Sequence, residues 1–181
     1  AQKVYDGTPL TSHVDGTGEN ADWIEGLAEG ESAVIHSNTG SQTNVGSSEN
    51  YYDRIVWETA QESDYTLRFD MGRLTVTKAS LTITALDQEA VYDGTDQGPG
   101  GQTLQGQDLA DAVRIEGLAG SDQITSITLR GSAVDAGSYE GVIIPEDAAG
   151  PEGAAAIADN YDIEYIPGDL AISQRPVTIT A

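Results

Sequence analysis

Apolar and polar residues alternate in short runs along much of this chain. In "YDIEY" at 161–165 every second residue is apolar or aromatic, and "LTVT" at 74–77 and "LTIT" at 81–84 follow the same rule. A period of two, carried by β-branched and aromatic residues, predicts half-buried β-strands. Shorter strand candidates are "VIHS", "RIVW", "SITLR" and "GVII". The pattern therefore predicts a mainly β fold.

The chain contains two copies of one sequence unit. Four blocks recur in the same order, and the first of them, "VYDGT", is identical in both copies. The matched blocks are 4–8 with 91–95, 24–28 with 115–119, 40–49 with 131–140, and 64–85 with 160–181. Ordered repetition of this kind indicates a duplicated structural unit. We predict two small β domains in tandem, 1–85 and 86–181.

Each copy ends in the letters "TITA", and the role of this segment sets the boundary between the units. We interpret it as the last strand of the preceding unit, which places the seam at Ala85. The segment "LDQEA" at 86–90 is then a short linker between units set end to end. The sequence leaves open the alternative that "TITA" begins the following unit.

Helix is expected only in short pieces. The segment 106–117 places Leu109 and Val113 on one helical face, and "PEGAAAIAD" at 151–159 is a second candidate. Each is too short to be a stable helix by itself. We expect at most one short helix in each domain.

The charge is strongly acidic, with 30 acidic against 8 basic residues and a net charge of -22. Binding to nucleic acid needs Lys and Arg to neutralise phosphates, so this composition disfavours it, and it disfavours anionic membranes for the same reason. No run approaches the ~20 apolar residues that span a bilayer. The chain has no cysteine, so any extracellular domain here would fold without disulfides.

With these blocks identified, the sequence resembles the MBG/YDG-type repeats of large bacterial surface proteins, which are related to mucin-binding β-grasp modules. The matching residues are the Tyr-Asp-Gly-Thr of each copy, Asn-Tyr-x-Ile-x-Tyr at 160–165, Gly-x-Leu-x-Ile at 168–172 and the closing Thr-Ile-Thr-Ala. The second copy matches nearly throughout. The first departs from the pattern, with Asp64 in place of Asn and Ser48 in place of Tyr.

The resemblance implies a non-catalytic stalk or spacer segment of an adhesin on the bacterial cell wall, outside the cell. It implies a β-grasp-like fold, with an immunoglobulin-like β-sandwich as the alternative. Its partners would be neighbouring repeats of the same chain and a host glycoprotein or mucin, and we expect a monomer. Two other functions stay open: a mucin- or glycan-binding module, and an accessory segment of a secreted hydrolase.

No residue pattern indicates an enzyme or a cofactor. His13 and His36 have no counterpart in the other copy, and no serine lies in a nucleophile-elbow motif. The densest acidic loop departs from EF-hand spacing, so we interpret it as solvated and expect no metal; it contains Asp15, Glu19, Asn20 and Asp22. An isopeptide staple through Lys3 stays possible, but the second copy could not share it.

Aromatic residues peculiar to the first copy are the best candidates for ligand contacts. Trp23 aligns with Arg114, and Trp57 lies where the copies no longer align, so the shared scaffold requires neither. Aromatic rings stack on sugar faces, and neighbouring polar side chains add hydrogen bonds. The candidate ligand-binding set is Trp23, Tyr51, Tyr52, Arg54 and Trp57. The competing interpretation is that each Trp fills a gap in the core of the first unit.

Overall fold

The computed structural model describes residues 1–11, 24–35, 40–52 and 54–180. The chain divides into two compact units, Ala1–Thr77 and Lys78–Ala181. Both are built mainly from β-strands, which confirms the fold class expected from the alternating pattern. Neither α-helix in the described part of the chain is long and apolar enough to cross a membrane.

The described part of the first unit contains five short strands and a 3-10 turn at Glu62–Asp64. The strands are β1 (Gln2–Val4), β2 (Ala33–Ile35), β3 (Gly46–Glu49), β4 (Ile55–Trp57) and β5 (Arg73–Thr77). A three-stranded sheet has the order β1-β5-β3, and β2 pairs with β4 in an antiparallel ladder. Leu74 and Val76 of β5 are buried, and along the strand they alternate with residues that are exposed or half-buried.

Among the described residues, the second unit has more helices and strands and more buried apolar side chains than the first. Its first half contains β6 (Ala79–Ala85), β7 (Gln88–Val91), β8 (Gln102–Gln105), α1 (Gly106–Ala112) and β9 (Val113–Glu116). Its second half contains β10 (Ser126–Arg130), β11 (Gly137–Ala149), α2 (Ala154–Asn160), β12 (Tyr161–Ile166) and β13 (Gly168–Ser173). The strands form a five-stranded sheet, β7-β13-β11-β10-β8, and a three-stranded sheet, β12-β6-β9. Both helix candidates fold, so this unit contains two short helices where we expected at most one.

The paired copies use the same strand register in both units. Gly46 lies opposite Val76, as Gly137 lies opposite Ile172. The parallel pairs agree as well, since β1 pairs with β5 in the register in which β7 pairs with β13. The sequence duplication is therefore also a duplication of strand pairing.

The pairing of strand β6 shows that the boundary between the units does not lie at Ala85, where we expected it. All six residues of β12 pair in parallel with β6, and β9 pairs with the other edge of β6. Leu81 and Ile83 are fully buried in the core of the second unit. The first "TITA" segment therefore begins the second unit, and the division lies between Thr77 and Lys78. The expected linker at 86–90 lies inside this unit, because Gln88–Val91 is β7.

The second "TITA" segment behaves differently. Residues 174–180 belong to no strand, and the side chains of Val177 and Ile179 are 83% and 91% exposed. Their counterparts in the repeat, Leu81 and Ile83, are 0% exposed. Almost the same sequence is thus a central strand in one place and a solvent-exposed segment in the other.

Candidate functional site

The most distinctive concave surface is a groove in the first unit, which we call the first-unit groove. Its volume is about 360 Å³. Two stretches of chain without regular structure, 24–27 and 65–71, line it together with side chains from β2, β4 and the residues before β4. The apolar and aromatic lining residues are Ile24, Leu27, Ile35, Tyr52, Ile55, Trp57, Tyr65, Leu67, Phe69 and Met71.

Aromatic rings pack in two pairs along the groove. Tyr52 and Phe69 stack with ring centroids 5.7 Å apart and an interplanar angle of 23°. Trp57 and Tyr65 stack at 6.1 Å and 13°. The exposed fraction of Phe69 is 56%, which is unusual for the largest apolar side chains. The groove therefore offers apolar surface that the described part of the first unit leaves accessible.

The hydroxyl group of Tyr65 fixes one wall of the groove. It accepts a hydrogen bond of 2.9 Å from the backbone N–H of Ala28 and donates one to the Glu31 carboxylate. The bond to Glu31 raises the pKa of Tyr65, because it is made with the protonated phenol. This arrangement holds the chain at 28–31 against the start of the 65–71 stretch.

The hydroxyl group of Tyr161 makes the same pair of hydrogen bonds in the second unit. Its hydroxyl accepts a hydrogen bond of 2.9 Å from the N–H of Ala119 and donates one of 2.7 Å to Oδ2 of Asp122. Tyr161, unlike Tyr65, is almost completely buried. The walls of the two units therefore correspond, but only in the second unit is the tyrosine covered.

Strand β6 makes the difference between the two units. In the second unit it lies between β12 and β9, with ladders on both sides. The counterpart of β12 is 65–70, and the counterparts of Ile115 and Glu116 in β9 are Ile24 and Glu25. Within the described part of the first unit, these residues pair with no strand. Residues 65–70 form no strand, and among the described residues of the first unit no strand lies beside them as β6 lies beside β12.

Two pairs of matched glycines show the same difference between the units. A Cβ atom on Gly117 would lie 2.3 Å from the carbonyl oxygen of Ser80 in β6, whereas one on its counterpart Gly26 would meet nothing within 4 Å. A Cβ atom on Gly168 would lie 2.6 Å from the carbonyl oxygen of Ala85, whereas one on Gly72 would again meet nothing. The path that β6 follows in the second unit is open in the described first unit.

The structure brings together only part of the predicted ligand-binding set. Tyr52 and Trp57 line the first-unit groove. Tyr51 and Arg54 are exposed and are not among the lining residues. Trp23 lies outside the described residues. Sequence reasoning missed Leu67 and Phe69. They alternate with Tyr65 as their counterparts at 161–165 do, but alternation does not show whether a neighbouring strand is present.

The other candidate groups play structural roles or lie outside the described residues. His13, His36 and the acidic loop at 15–22 lie outside the described residues. Among the described residues, no cluster of His, Asp and Glu is suited to hold a metal ion. Lys3 donates hydrogen bonds of 2.6 Å to Oδ1 of Asp6 and 2.8 Å to Oγ1 of Thr8, so its amine closes the "YDGT" turn.

The repeated "YDGT" motif is a hydrogen-bonded turn. Oδ1 of Asp6 accepts bonds from the backbone N–H and the hydroxyl of Thr8, and Asp93 does the same with Thr95. The glycine between them has a positive φ of 77° in the first copy and 86° in the second, which favours glycine. The hydrogen bonds that the Asp6 carboxylate accepts, chiefly that from Lys3, lower its pKa to about 2. The motif recurs because each unit needs this turn.

A larger depression, of about 740 Å³, lies in the second unit along β7, β13 and the start of β11. Small side chains such as Ala90, Ser138 and Ala171 account for much of its lining. It offers no aromatic ring and none of the candidate residues. The first-unit groove is therefore the better candidate site.

Comparison with protein-family models, with characterised proteins and with solved structures found no match to this chain.

Proposed function

We propose that this chain is a non-catalytic tandem-repeat segment of a bacterial cell-surface adhesin, serving as a stalk or spacer. The observation that carries the proposal is the common strand register of the two units. Repeated structural units suit a spacer, because its length grows with the number of copies. Neighbouring repeats of the same chain are then its principal partners.

The pairing of strands favours a β-grasp-like unit over an immunoglobulin-like sandwich. Immunoglobulin-type sandwiches are built from antiparallel sheets. Here β1 pairs in parallel with β5, β7 with β13, and β6 with β12. The resemblance to MBG/YDG-type repeats leads to the same proposal.

The surface charge supports an exposed location. With a net charge of -22, the protein repels itself and other acidic molecules, which keeps it soluble at high local density. An extracellular repeat crowded on a cell wall needs that property.

Labelling of intact cells tests the location and the role. Antibodies against this chain should stain intact cells of the source organism, and mild protease treatment of those cells should release the epitope. A matched sample of permeabilised cells is the control. Staining that appears only after permeabilisation would rule out a surface stalk.

A mucin- or glycan-binding module is a second candidate, because Tyr52 and Trp57 line the same groove. Binding to immobilised mucin or to a glycan array should then fall at least about tenfold in Trp57→Ala, as expected for loss of a central aromatic contact. Tyr51→Ala is the matched control, since Tyr51 is exposed and outside the groove lining. Equal binding by both variants, or none by the parent chain, argues against this function. The accessory role in a hydrolase stays a prediction.

A further inference from the structure

We propose that the second unit resists mechanical tension along the chain, and that one long parallel ladder inside it bears that tension. The ladder joins residues 79–91, where the strands of the unit begin, to residues 161–173, where they end. The resistance follows from strand pairing alone, whereas the source of the tension, a stalk on the cell surface, rests on the function proposed above.

The two stretches pair in one constant register. Ala79 of β6 lies opposite Tyr161 of β12, and Val91 of β7 lies opposite Ser173 of β13. The partners are 82 positions apart at both ends, as they are at the hydrogen bond between Asp87 and Asp169. Strand β7 therefore continues the pairing of β6, although the two strands belong to different sheets.

The step from one sheet to the other keeps the two stretches in contact. There the backbone N–H of Asp169 donates a hydrogen bond of 2.8 Å to Oδ1 of Asp87. Gly168 allows the backbones to approach closely, since a Cβ atom on it would lie 2.6 Å from the carbonyl oxygen of Ala85. We call the whole pairing of 79–91 with 161–173 the long parallel ladder.

Tension along the chain loads this ladder in shear. The chain enters the unit at the amino end of β6 and leaves it at the carboxyl end of β13. Because the stretches are parallel, these two points lie at opposite ends of the ladder, and pulling them apart slides one stretch along the other. Sliding must break evenly spaced hydrogen bonds together, whereas peeling breaks them one after another.

The strands at which the chain enters and leaves are also central in their sheets. Strand β6 lies between β12 and β9, and β13 lies between β7 and β11. Each is hydrogen-bonded on both sides, so neither can be drawn away from an open edge. The large apolar side chains that these strands point into the core are at most 3% exposed; they are Leu81, Ile83, Leu170 and Ile172.

Single-molecule pulling of the full chain in two geometries tests the proposal. The chain has no cysteine, so introduced pairs of cysteines decide where the force acts. Ser80→Cys with Gln174→Cys loads the ladder in shear, and Ser80→Cys with Asp159→Cys peels it from the end where β6 and β12 begin; all three positions are exposed.

At the same constant force, the second unit should unfold at least about tenfold more slowly in shear than in peeling. That factor corresponds to about two more backbone hydrogen bonds breaking together, and forced unfolding reports the unfolding rate. Equal rates, or faster unfolding in shear, would overturn the proposal.

The length released in shear shows whether the ladder breaks as a whole. An extended residue spans about 3.3–3.6 Å, and the folded ladder spans about 40 Å. Unfolding between positions 80 and 174 should therefore lengthen the molecule by about 270–300 Å in one step. Release in several smaller steps would refute a ladder that fails as one unit.

Proline at two neighbouring positions of β7 tests the ladder itself. The backbone N–H of Tyr92 donates a hydrogen bond of 2.9 Å to the carbonyl oxygen of Ser173. Backbone groups alternate in direction along a strand, so the N–H of Ala90 also faces β13 and that of Val91 faces away. Ala90→Pro removes a bond of the ladder, whereas Val91→Pro, the matched control, places proline where an edge strand tolerates it.

In shear, Ala90→Pro should unfold at least about fivefold faster than Val91→Pro, as expected for one lost backbone hydrogen bond. Peeling starts at the other end of the ladder, so there both variants should unfold at the rate of the parent chain. Equal rates for the two variants in shear, or the same acceleration of Ala90→Pro in both geometries, would show a general loss of stability and refute the assignment. If Ala90→Pro does not fold, the two geometries of the parent chain decide the question.

These measurements are independent of where the protein is found. Unfolding as fast in shear as in peeling would remove the mechanical role and leave the labelling of intact cells unaffected. Staining only after permeabilisation would remove the surface stalk and leave the measured resistance of the ladder unchanged.

Discussion

Replacing Ile83 by alanine should destabilise the second unit severely, whereas Ile179→Ala should leave its stability almost unchanged. The two residues occupy the same place in the repeated "TITA" segment. Ile83 is 0% exposed in a strand paired on both sides, and Ile179 is 91% exposed outside any strand. Comparing the two variants therefore separates the effect of the tertiary environment on stability from the effect of the local sequence.

The magnitude follows from the buried side chain. At about 0.8 kcal/mol for each buried methylene-sized group, the lost carbons of Ile83→Ala cost about 2.4 kcal/mol before any cavity is counted. The cavity left in a core that cannot collapse raises the total to roughly 3–4 kcal/mol. Ile179→Ala removes no buried surface, so its effect should stay within about 0.5 kcal/mol.

Urea unfolding followed by two probes measures the effect in each unit. Both tryptophans precede Lys78, so tryptophan fluorescence reports on the first unit. Hydrogen exchange of peptides from β12 and β13 reports on the second. For Ile83→Ala we expect the exchange midpoint to fall by roughly 1.5–2 M urea, from a typical slope of about 2 kcal/mol per molar, with the fluorescence transition unchanged.

The opposite assignment of "TITA" makes the opposite prediction. If each such segment closed the unit before it, Ile83→Ala would shift the fluorescence transition and Ile179→Ala would shift the exchange transition. Either result would refute the strand order described above. Equal small effects from both variants would show that β6 is not part of a packed core.

Three further predictions concern single groups. Because hydrogen bonds from Lys3 and from its own turn lower the pKa of Asp6 from 3.8 to about 2, its charged form stabilises the folded first unit above pH ~4, and this stabilisation is lost as the pH falls through about 2; carboxyl-carbon NMR should show that midpoint, and an ordinary value near 3.8 would contradict it. Gly168→Ala should destabilise the second unit by about 1–3 kcal/mol through overpacking against backbone, whereas Gly72→Ala should be neutral or slightly stabilising; equal midpoints in thermal unfolding would count against the open path. Tyr161→Phe should cost about 1–3 kcal/mol in chemical unfolding, because the part-buried N–H of Ala119 and the Asp122 carboxylate each lose a hydrogen bond, and a neutral result would show that water replaces the hydroxyl.

Much of the fold could be predicted from local sequence. The run "RIVW" contains β4, "SITLR" coincides with β10 and "GVII" lies within β11. The described part of "VIHS", Val34 and Ile35, lies in β2. Both short helix candidates form, at α1 and α2. These features depend on residues close together in the chain, so periodicity and turn residues suffice to indicate them.

The candidate site was predictable only in part, because it depends on which strands pair within the described part of the first unit. The absence of a Trp57 counterpart in the second copy points to the residues around β4, and Tyr52 and Trp57 line the groove. Their role in binding a ligand stays a prediction. The walls at 24–27 and 65–71 lie in repeat blocks that both copies share, so nothing in the sequence singles them out as ligand-binding. Their alternating residues indicate a strand, but pairing decides whether a strand forms.

The sequence by itself determined the class of the fold, the duplication and the turns that recur with it. Only the tertiary structure decided to which unit each "TITA" segment belongs, because a tandem repeat has the same letters wherever its period is taken to begin. Ala79, near the start of the second unit, pairs with Tyr161, near its end. No local sequence pattern indicates a pairing between residues so far apart in the chain. Hydrogen bonding and burial of Leu81 and Ile83 between two distant strands select the unit, and the same requirement leaves Val177 and Ile179 in solvent.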